Sequence, residues 1–294
     1  MTFFEWPELP KGQIGLGSPH HLAYTVPKMD ALPEWKAWLH SKGVPVVGPL
    51  VRDHNRVSLY LRDPDGVVIE ITSPNAENIS NDYFKDHGES SVSSISMITS
   101  DMRLATFNHA TPITSDASLT VRFFSKLLGL KNSFTLPNED QKGTSVVGIG
   151  NADRPDFLRY ILYEKAPDGL VGEGNIHHIA MAVDDDGDQL KIKRRLDDGG
   201  FANSGIIDRF WFHSLYFRDP DGNLLEIATK VPGYTADEPL EKLGQKLVLP
   251  AWLETRRHEI ESALKETDGK NKRPWPPNYS ALISPPESLP AAAS

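Results

Sequence analysis

The block His20-His21-Leu22-Ala23-Tyr24-Thr25-Val26 returns in the second half of the chain as His177-His178-Ile179-Ala180-Met181-Ala182-Val183. Downstream of each copy comes a second shared block. Ser58 to Thr72, SLYLRDPDGVVIEIT, returns as Ser214 to Thr229, SLYFRDPDGNLLEIAT. His21 stands 49 residues before Glu70, and His178 stands 48 before Glu226. Two matched blocks at matched spacing restrict the chain to folds assembled from copies of one supersecondary unit.

Each copy reads as βαβββ. The His-His block alternates like a strand. An amphipathic helix over Leu32 to Ser41 follows, stopped by Gly43. Val44–Val47 and the SLYLR segment read as strands, and Asp63-Pro64-Asp65-Gly66 as a tight turn leading into Val67–Thr72. In the second copy the helix falls around Asp188–Asp198, before Gly199-Gly200. Between the copies lies a third unit without the DPDG turn. Its first strand, Leu104–Thr114, carries His109; a helix over Thr120–Leu128 ends at Gly129; strands fit Thr144–Ile149 and Phe157–Tyr163.

This gives five expected segments. Residues 1–75 form an N-terminal module with a leading strand at Thr2–Trp6, and 76–102 a linker. Residues 103–232 form a two-module domain, 233–268 an irregular wrap with a helix over Ala251–Glu266, and 269–294 a disordered tail. The N-terminal module then stands unpaired, so a homodimer is expected to cover it.

Composition narrows the chemistry. With no cysteine, disulfides, iron–sulfur clusters and thiolate zinc sites are excluded, and any metal must use His, Asp, Glu or water. A formal charge of −9 without a Lys/Arg cluster argues against nucleic acid. Neither a signal peptide nor a long apolar run is visible, so no membrane partner and a cytoplasmic location are expected. Both DPDG turns read as structural hairpins. Gly172-Glu173-Gly174 reads as a loop into a strand, not a phosphate cradle.

The repeated blocks, together with GEGNIHHIAMAV, GIIDRFWFHSLYFRDPDGNLLEIAT and PGYTADEPLEKLGQKLVLPAWLETRRHEIE, resemble the vicinal oxygen chelate superfamily, which includes glyoxalase I, extradiol dioxygenases and antibiotic-resistance proteins. Within it they are most similar to hydroquinone-type ring-cleaving dioxygenases. The resemblance implies an α+β fold of paired βαβββ modules forming cup-shaped mixed sheets. It also implies one divalent metal held by His109, His178 and Glu226. Two neutral imidazoles and one carboxylate leave adjacent positions open for a substrate and dioxygen, an arrangement associated with non-haem iron(II). Iron(II) is therefore the expected ion, with manganese(II) or another divalent ion as alternatives, and an aromatic diol and O2 are the expected small-molecule partners.

The same resemblance offers Tyr216, His177 and Arg209 as catalytic groups around the metal, and Thr111, Asn108 and His213 as substrate contacts. Each has a plainer reading. Tyr216 is also an ordinary strand aromatic; His177 points away from its neighbour; Arg209 can pair with Asp208; and His213 suits a surface place. Asn108 stands where the hydroquinone group has a histidine. His21 and Glu70 are the repeat equivalents of His178 and Glu226, but a site there needs a histidine from a partner module, and no module precedes them.

An alternative is a glyoxalase-type isomerase or lyase, which needs a fourth ligand. The position matching Glu226 in the middle module aligns with Tyr160, with Glu164 four residues on. A non-enzymatic small-molecule-binding protein of the same fold is the third reading.

Overall fold

The computed structural model describes residues 1–4, 6, 8–52, 56–74, 97–138 and 143–264. Most of the expected linker and all of the expected tail lie outside the described residues. The described residues divide into two compact units, one holding 1–179 and 218–224, the other 180–217 and 225–264.

In the first unit, β1 (His21–Thr25), α1 (Ala31–Ser41), β2 (Val47–Arg52), β3 (Arg56–Arg62) and β4 (Val68–Pro74) make the first module. The middle module comprises β5 (Thr106–Thr111), β6 (Ile113–Thr114), α2 (Ala117–Leu128), β7 (Lys131–Pro137), β8 (Ser145–Gly150) and β9 (Leu158–Leu162). All nine strands join one mixed sheet in the order β2-β3-β4-β1-β5-β9-β8-β7, with β6 on β9. The two first strands meet at the centre: β1 runs antiparallel to β5 and parallel to β4.

This pairing bears on the N-terminal module. The N-terminal module shares its sheet with the middle module, so the reason for expecting a partner copy there falls away. The first module's apolar interior lies under α1, where Leu32, Trp35 and Leu39 pack on Val57, Leu59 and Ile71. Met102 closes that interior, its carbonyl accepting from Trp35 Nε1 at 2.7 Å. Helix α1 stops where Gly43 takes a φ of 73°, a region that favours glycine. Asp116 caps α2 by accepting from the Leu119 amide.

Two further expectations change. Strand β7 has no counterpart in the sequence reading: it is an edge strand whose residues are mostly exposed, and only Phe134 and Leu136 alternate as apolar positions. The described residues of the expected Thr2–Trp6 strand are not in a strand. Phe4 and Trp6 stack on each other, and both rings lie 5.2 Å from the ring of His177.

The third module contributes β10 (Ile179–Val183), α3 (Asp186–Asp198), β11 (Asn203–Asp208), β12 (His213–Arg218) and β13 (Leu224–Thr229). Its four strands form their own sheet, β10-β13-β12-β11, with β10 at an edge among the described residues. The expected C-terminal helix is shorter than the sequence suggested: a 3-10 turn over Ala251–Arg256 precedes α4 (Arg257–Ala263).

Candidate metal centre

Strand register brings three potential ligands together in the first unit. Ala23 on β1 is paired with Glu70 on one side and with His109 on the other. Directly paired residues point to the same face of a sheet. Alanine is small, so the two longer side chains lean over it until His109 Nε2 lies 3.3 Å from Glu70 Oε2. His21 is one alternation earlier on β1, opposite Thr111, and its Nε2 comes to 3.0 Å from the same carboxylate oxygen. All three residues are buried. Among the described residues, His21, Glu70 and His109 form the one group of three whose ligand atoms lie within 4.8 Å of one another.

The surrounding hydrogen bonds favour a cation between them. Asn108 Nδ2 donates to Thr25 Oγ1, so its Oδ1 faces His109 Nδ1, at 2.7 Å. When Nδ1 donates to that amide oxygen, Nε2 keeps the lone pair a metal ligand needs, facing the Glu70 carboxylate; Arg56 Nη1 also lies 3.3 Å from Nδ1. Adjacent ligands in an octahedron with bonds of about 2.1 Å stand about 3.0 Å apart, close to the separations here. His20 Nδ1 and His21 Nδ1 are 2.8 Å apart, and donation from His21 frees its Nε2 in the same way. Ser58 Oγ donates to Glu70 Oε1 at 2.6 Å, leaving Oε2 to face the two imidazoles. Such outer contacts fix ligand orientation. The residues present therefore fit a divalent ion.

Burial alone would raise the Glu70 pKa, but the Arg56 guanidinium and His109 outweigh it and hold the carboxyl well below its usual range. Burial drives His109 down to about 3, against a smaller upward pull from Glu70, so the imidazole is neutral and ready to bind metal. Because His109 is depressed in the folded state, the unfolded chain binds the extra proton between about pH 6.5 and 3, and stability is lost as pH falls through that window. Asp219, raised to about 6, works in the opposite direction, so the difference between two proteins isolates the histidine. Metal-free wild type should lose about 2 kcal/mol relative to His109→Gln between pH 6.5 and 4.5. Parallel thermal midpoints over that range would show that His109 is not a buried neutral imidazole.

The cavity over this group is also lined by Arg52, Arg56, Tyr60, Thr111 and Arg159. Arg52 Nε donates to the Tyr60 hydroxyl at 3.2 Å, and Thr111 Oγ1 lies 3.0 Å from His21 Nε2. The middle module has no carboxylate where the first has Glu70. Ala110 pairs with Leu158 and Ile113 with Ile161, so the ladder sets Thr111 opposite Arg159. Arg159 is thus two residues beyond His109 in register, as Glu70 is two beyond His21. Tyr160 points to the other face and donates to Asp219, while Glu164 is exposed. The fourth-ligand position falls on Arg159, not on Tyr160.

A family model described as the Glyoxalase/Bleomycin resistance protein/Dioxygenase superfamily matches residues 2–71 and 106–227. The chain belongs to this superfamily. Its mixed sheets and module order are those of the vicinal oxygen chelate fold. "Putative ring-cleaving dioxygenase MhqA" of Bacillus subtilis (strain 168) is 30% identical over 266 residues, which cover 90% of this chain and 81% of that protein. A "Chlorohydroquinone/hydroquinone 1,2-dioxygenase" of Sphingobium indicum is 30% identical over 135 residues, 45% of this chain and 42% of that one. The crystal structure of a "putative dioxygenase" from Bacillus subtilis superposes with a TM-score of 0.71 at 28% identity, covering 90% of this chain and 78% of the other. These relatives support a dioxygenase-type function in broad terms.

Of the residues singled out in the sequence, His109, Thr111 and Asn108 are together at this centre. The other two expected ligands are His178 and Glu226. His178 precedes β10 and is half-buried; Glu226 is on β13 and accepts from Ser214 Oγ. His109, His178 and Glu226 do not form a three-ligand group among the described residues; His109 instead joins the first module's pair. The β1–β5 pairing gives the middle module's histidine to the sheet of the first module. Tyr216 is half-buried on β12, with the exposed Arg209 guanidinium 5.7 Å from its ring. His213 Nδ1 lies 2.6 Å from Asp186. His177 is against Phe4 and Trp6.

Sequence reasoning missed Arg52, Arg56 and Arg159, and it set His21 and Glu70 aside for want of a partner histidine. The repeat itself held the signal: Ser58–Glu70 and Ser214–Glu226 are the same hydrogen bond in two copies, and the Nδ1 atoms of His20–His21 and of His177–His178 are each 2.8 Å apart.

Proposed function

We propose that the protein is an iron(II)-dependent extradiol-type ring-cleaving dioxygenase acting on a hydroquinone or catechol-like aromatic diol, with His21, Glu70 and His109 as the metal ligands. The observation that carries this reading is the buried set of two imidazoles and one carboxylate converging at 3.0–3.3 Å, beside a fourth position that holds a cation, Arg159. A three-ligand face leaves room for a chelating diol and dioxygen side by side. When bound, iron(II) supplies the electron density that dioxygen lacks and acidifies the diol.

The chain's own residues would do the positioning. Asn108 and Ser58 hold His109 and Glu70 in the ligating orientation. Tyr60, whose oxygen already accepts from Arg52, keeps its own proton to donate to a substrate oxygen. Burial with the neighbouring Glu70 charge keeps that phenol protonated. Tyr60 is the repeat equivalent of Tyr216, so the role expected of Tyr216 belongs to the copy beside the assembled site. The isomerase alternative needs a second carboxylate as its fourth ligand, and Arg159 stands in its place.

The test is oxygen uptake by protein reconstituted anaerobically with iron(II), using catechols and hydroquinones. Tyr60→Phe should keep its iron and lose about a hundred- to a thousandfold in turnover, the range of one lost general acid or oxygen contact. Stoichiometric iron without uptake on any diol would sink the dioxygenase reading.

A further inference from the structure

One half-sheet occurs twice in the fold. In the first module it runs β2-β3-β4-β1, and in the third β11-β12-β13-β10, so β10 holds the place of β1. What lies beyond that place differs. β1 is paired antiparallel with β5, the first strand of the middle module. Among the described residues, β10 is paired only with β13. The alanines of the two copies register the difference. Ala23 on β1 is 0% exposed, whereas its repeat equivalent Ala180 is exposed, and so is Ala182.

The other sheet edges carry features that discourage further pairing. β2 contains Pro49 and shifts register between Val47 and Leu50. β7 begins with Lys131, ends with Pro137 and shifts register between Asn132 and Phe134. β11 shifts register between Asn203 and Ile206, where Gly205 takes a φ of 69°, and it ends with Asp208. By contrast, β10 reads Ile-Ala-Met-Ala-Val, without proline, glycine or charge. An apolar edge strand with a bare row of backbone donors and acceptors is a template for another strand.

We propose that β10 is the interface of a homodimer, in which it pairs antiparallel with β10 of a second copy across a two-fold axis and the two four-stranded sheets join into one. The chain's own pairing identifies the occupant. Its modules join first strand to first strand, and antiparallel, as β1 joins β5. Three modules leave one first strand over, and a second copy supplies the missing one. A two-fold axis perpendicular to the sheet makes two identical strands antiparallel, so one surface serves both sides of the contact. The partner copy expected from the sequence at the N-terminal module thus belongs at the third.

Sedimentation equilibrium on the full chain, without added metal, reads the mass across a dilution series. Wild type should show twice the chain mass and dissociate on dilution. Ala180→Lys with Ala182→Lys places two exposed lysines on each copy at the contact, and Ala180→Glu with Ala182→Glu two glutamates. Each variant alone should associate at least about tenfold more weakly, because like charges across paired strands repel. An equimolar mixture of the two should recover the dimer, because the charges are then opposite. Hydrogen exchange on wild type needs no variant: the β10 amides should exchange more slowly at high protein concentration than at low. Should a variant fail to fold, that reading decides alone. A wild-type chain that is monomeric at every concentration would overturn the proposal. So would a dimer that both charge variants leave unchanged, a mixture of folded variants that stays monomeric, or β10 exchange indifferent to concentration.

Discussion

Glu70→Gln is expected to lose stoichiometric metal binding and to lower metal-dependent turnover at least about a hundredfold, more than the loss of an outer-contact residue costs. Glu226→Gln is expected to retain both. Glutamine keeps the size of Glu70 and its bond from Ser58 Oγ, so the sheet should survive. It removes the negative charge that two imidazoles and Arg56 surround. Equilibrium dialysis followed by elemental analysis reads the first effect, and oxygen uptake the second. The paired variants discriminate between the two repeat copies. If Glu226→Gln lost the metal and Glu70→Gln kept it, the centre would belong to the third module, and the assignment made from the β1–β5 register would be wrong.

Asp219→Ala is expected to destabilise the first unit by about 3 kcal/mol, a melting-point loss of roughly 5–10 °C. Asp219 is 5% exposed. Its Oδ2 accepts from the Tyr160 hydroxyl at 2.7 Å and from Asn223 Nδ2 at 2.9 Å. Its Oδ1 accepts from the amides of Asp221 and Asn223, which shape the turn. Alanine leaves these buried donors without their acceptor, whereas Tyr160→Phe removes a single bond and should cost about 1 kcal/mol.

The effect also depends on pH. Burial raises the Asp219 pKa to about 6, so its folded-state value lies above the unfolded one. Its contribution is complete below about pH 4 and is lost as pH rises through 6. The cost of Asp219→Ala should therefore be larger at pH 5 than at pH 8 by scanning calorimetry. A cost no greater than that of an exposed substitution, about 0.5 kcal/mol, would mean that the DPDG turn does not organise this region.

Both DPDG turns were legible as hairpins because their cause is local. Asp63 Oδ1 accepts from the amides of residues 65, 66 and 67, and Gly66 and Gly222 take φ values of 109° and 91° that favour glycine. Helix ends were legible for the same reason, at Gly43 and at Gly129, whose φ is 71°. The arginines of the cavity were not. Arg52, Arg56 and Arg159 carry no mark in their neighbouring residues, and they meet only because β2, β3 and β9 curve around one face.

What the sequence determined by itself is the module: the order βαβββ, its repetition, and the alternation that puts His21 and Ala23, or His109 and Thr111, on one face of a strand. These follow from backbone sterics and from hydrophobic periods within some ten residues. Which modules share a sheet was decided only in three dimensions. The edge of β5 can add to any exposed first strand of a similar module, and both β1 and β10 belong to such modules. Its antiparallel register with β1 gives His109 to Glu70 and His21, and it sets Arg159 across from the carboxylate it replaces. Edge pairing joins residues nearly 90 positions apart through backbone hydrogen bonds that every strand offers alike. No local pattern could therefore name the partner.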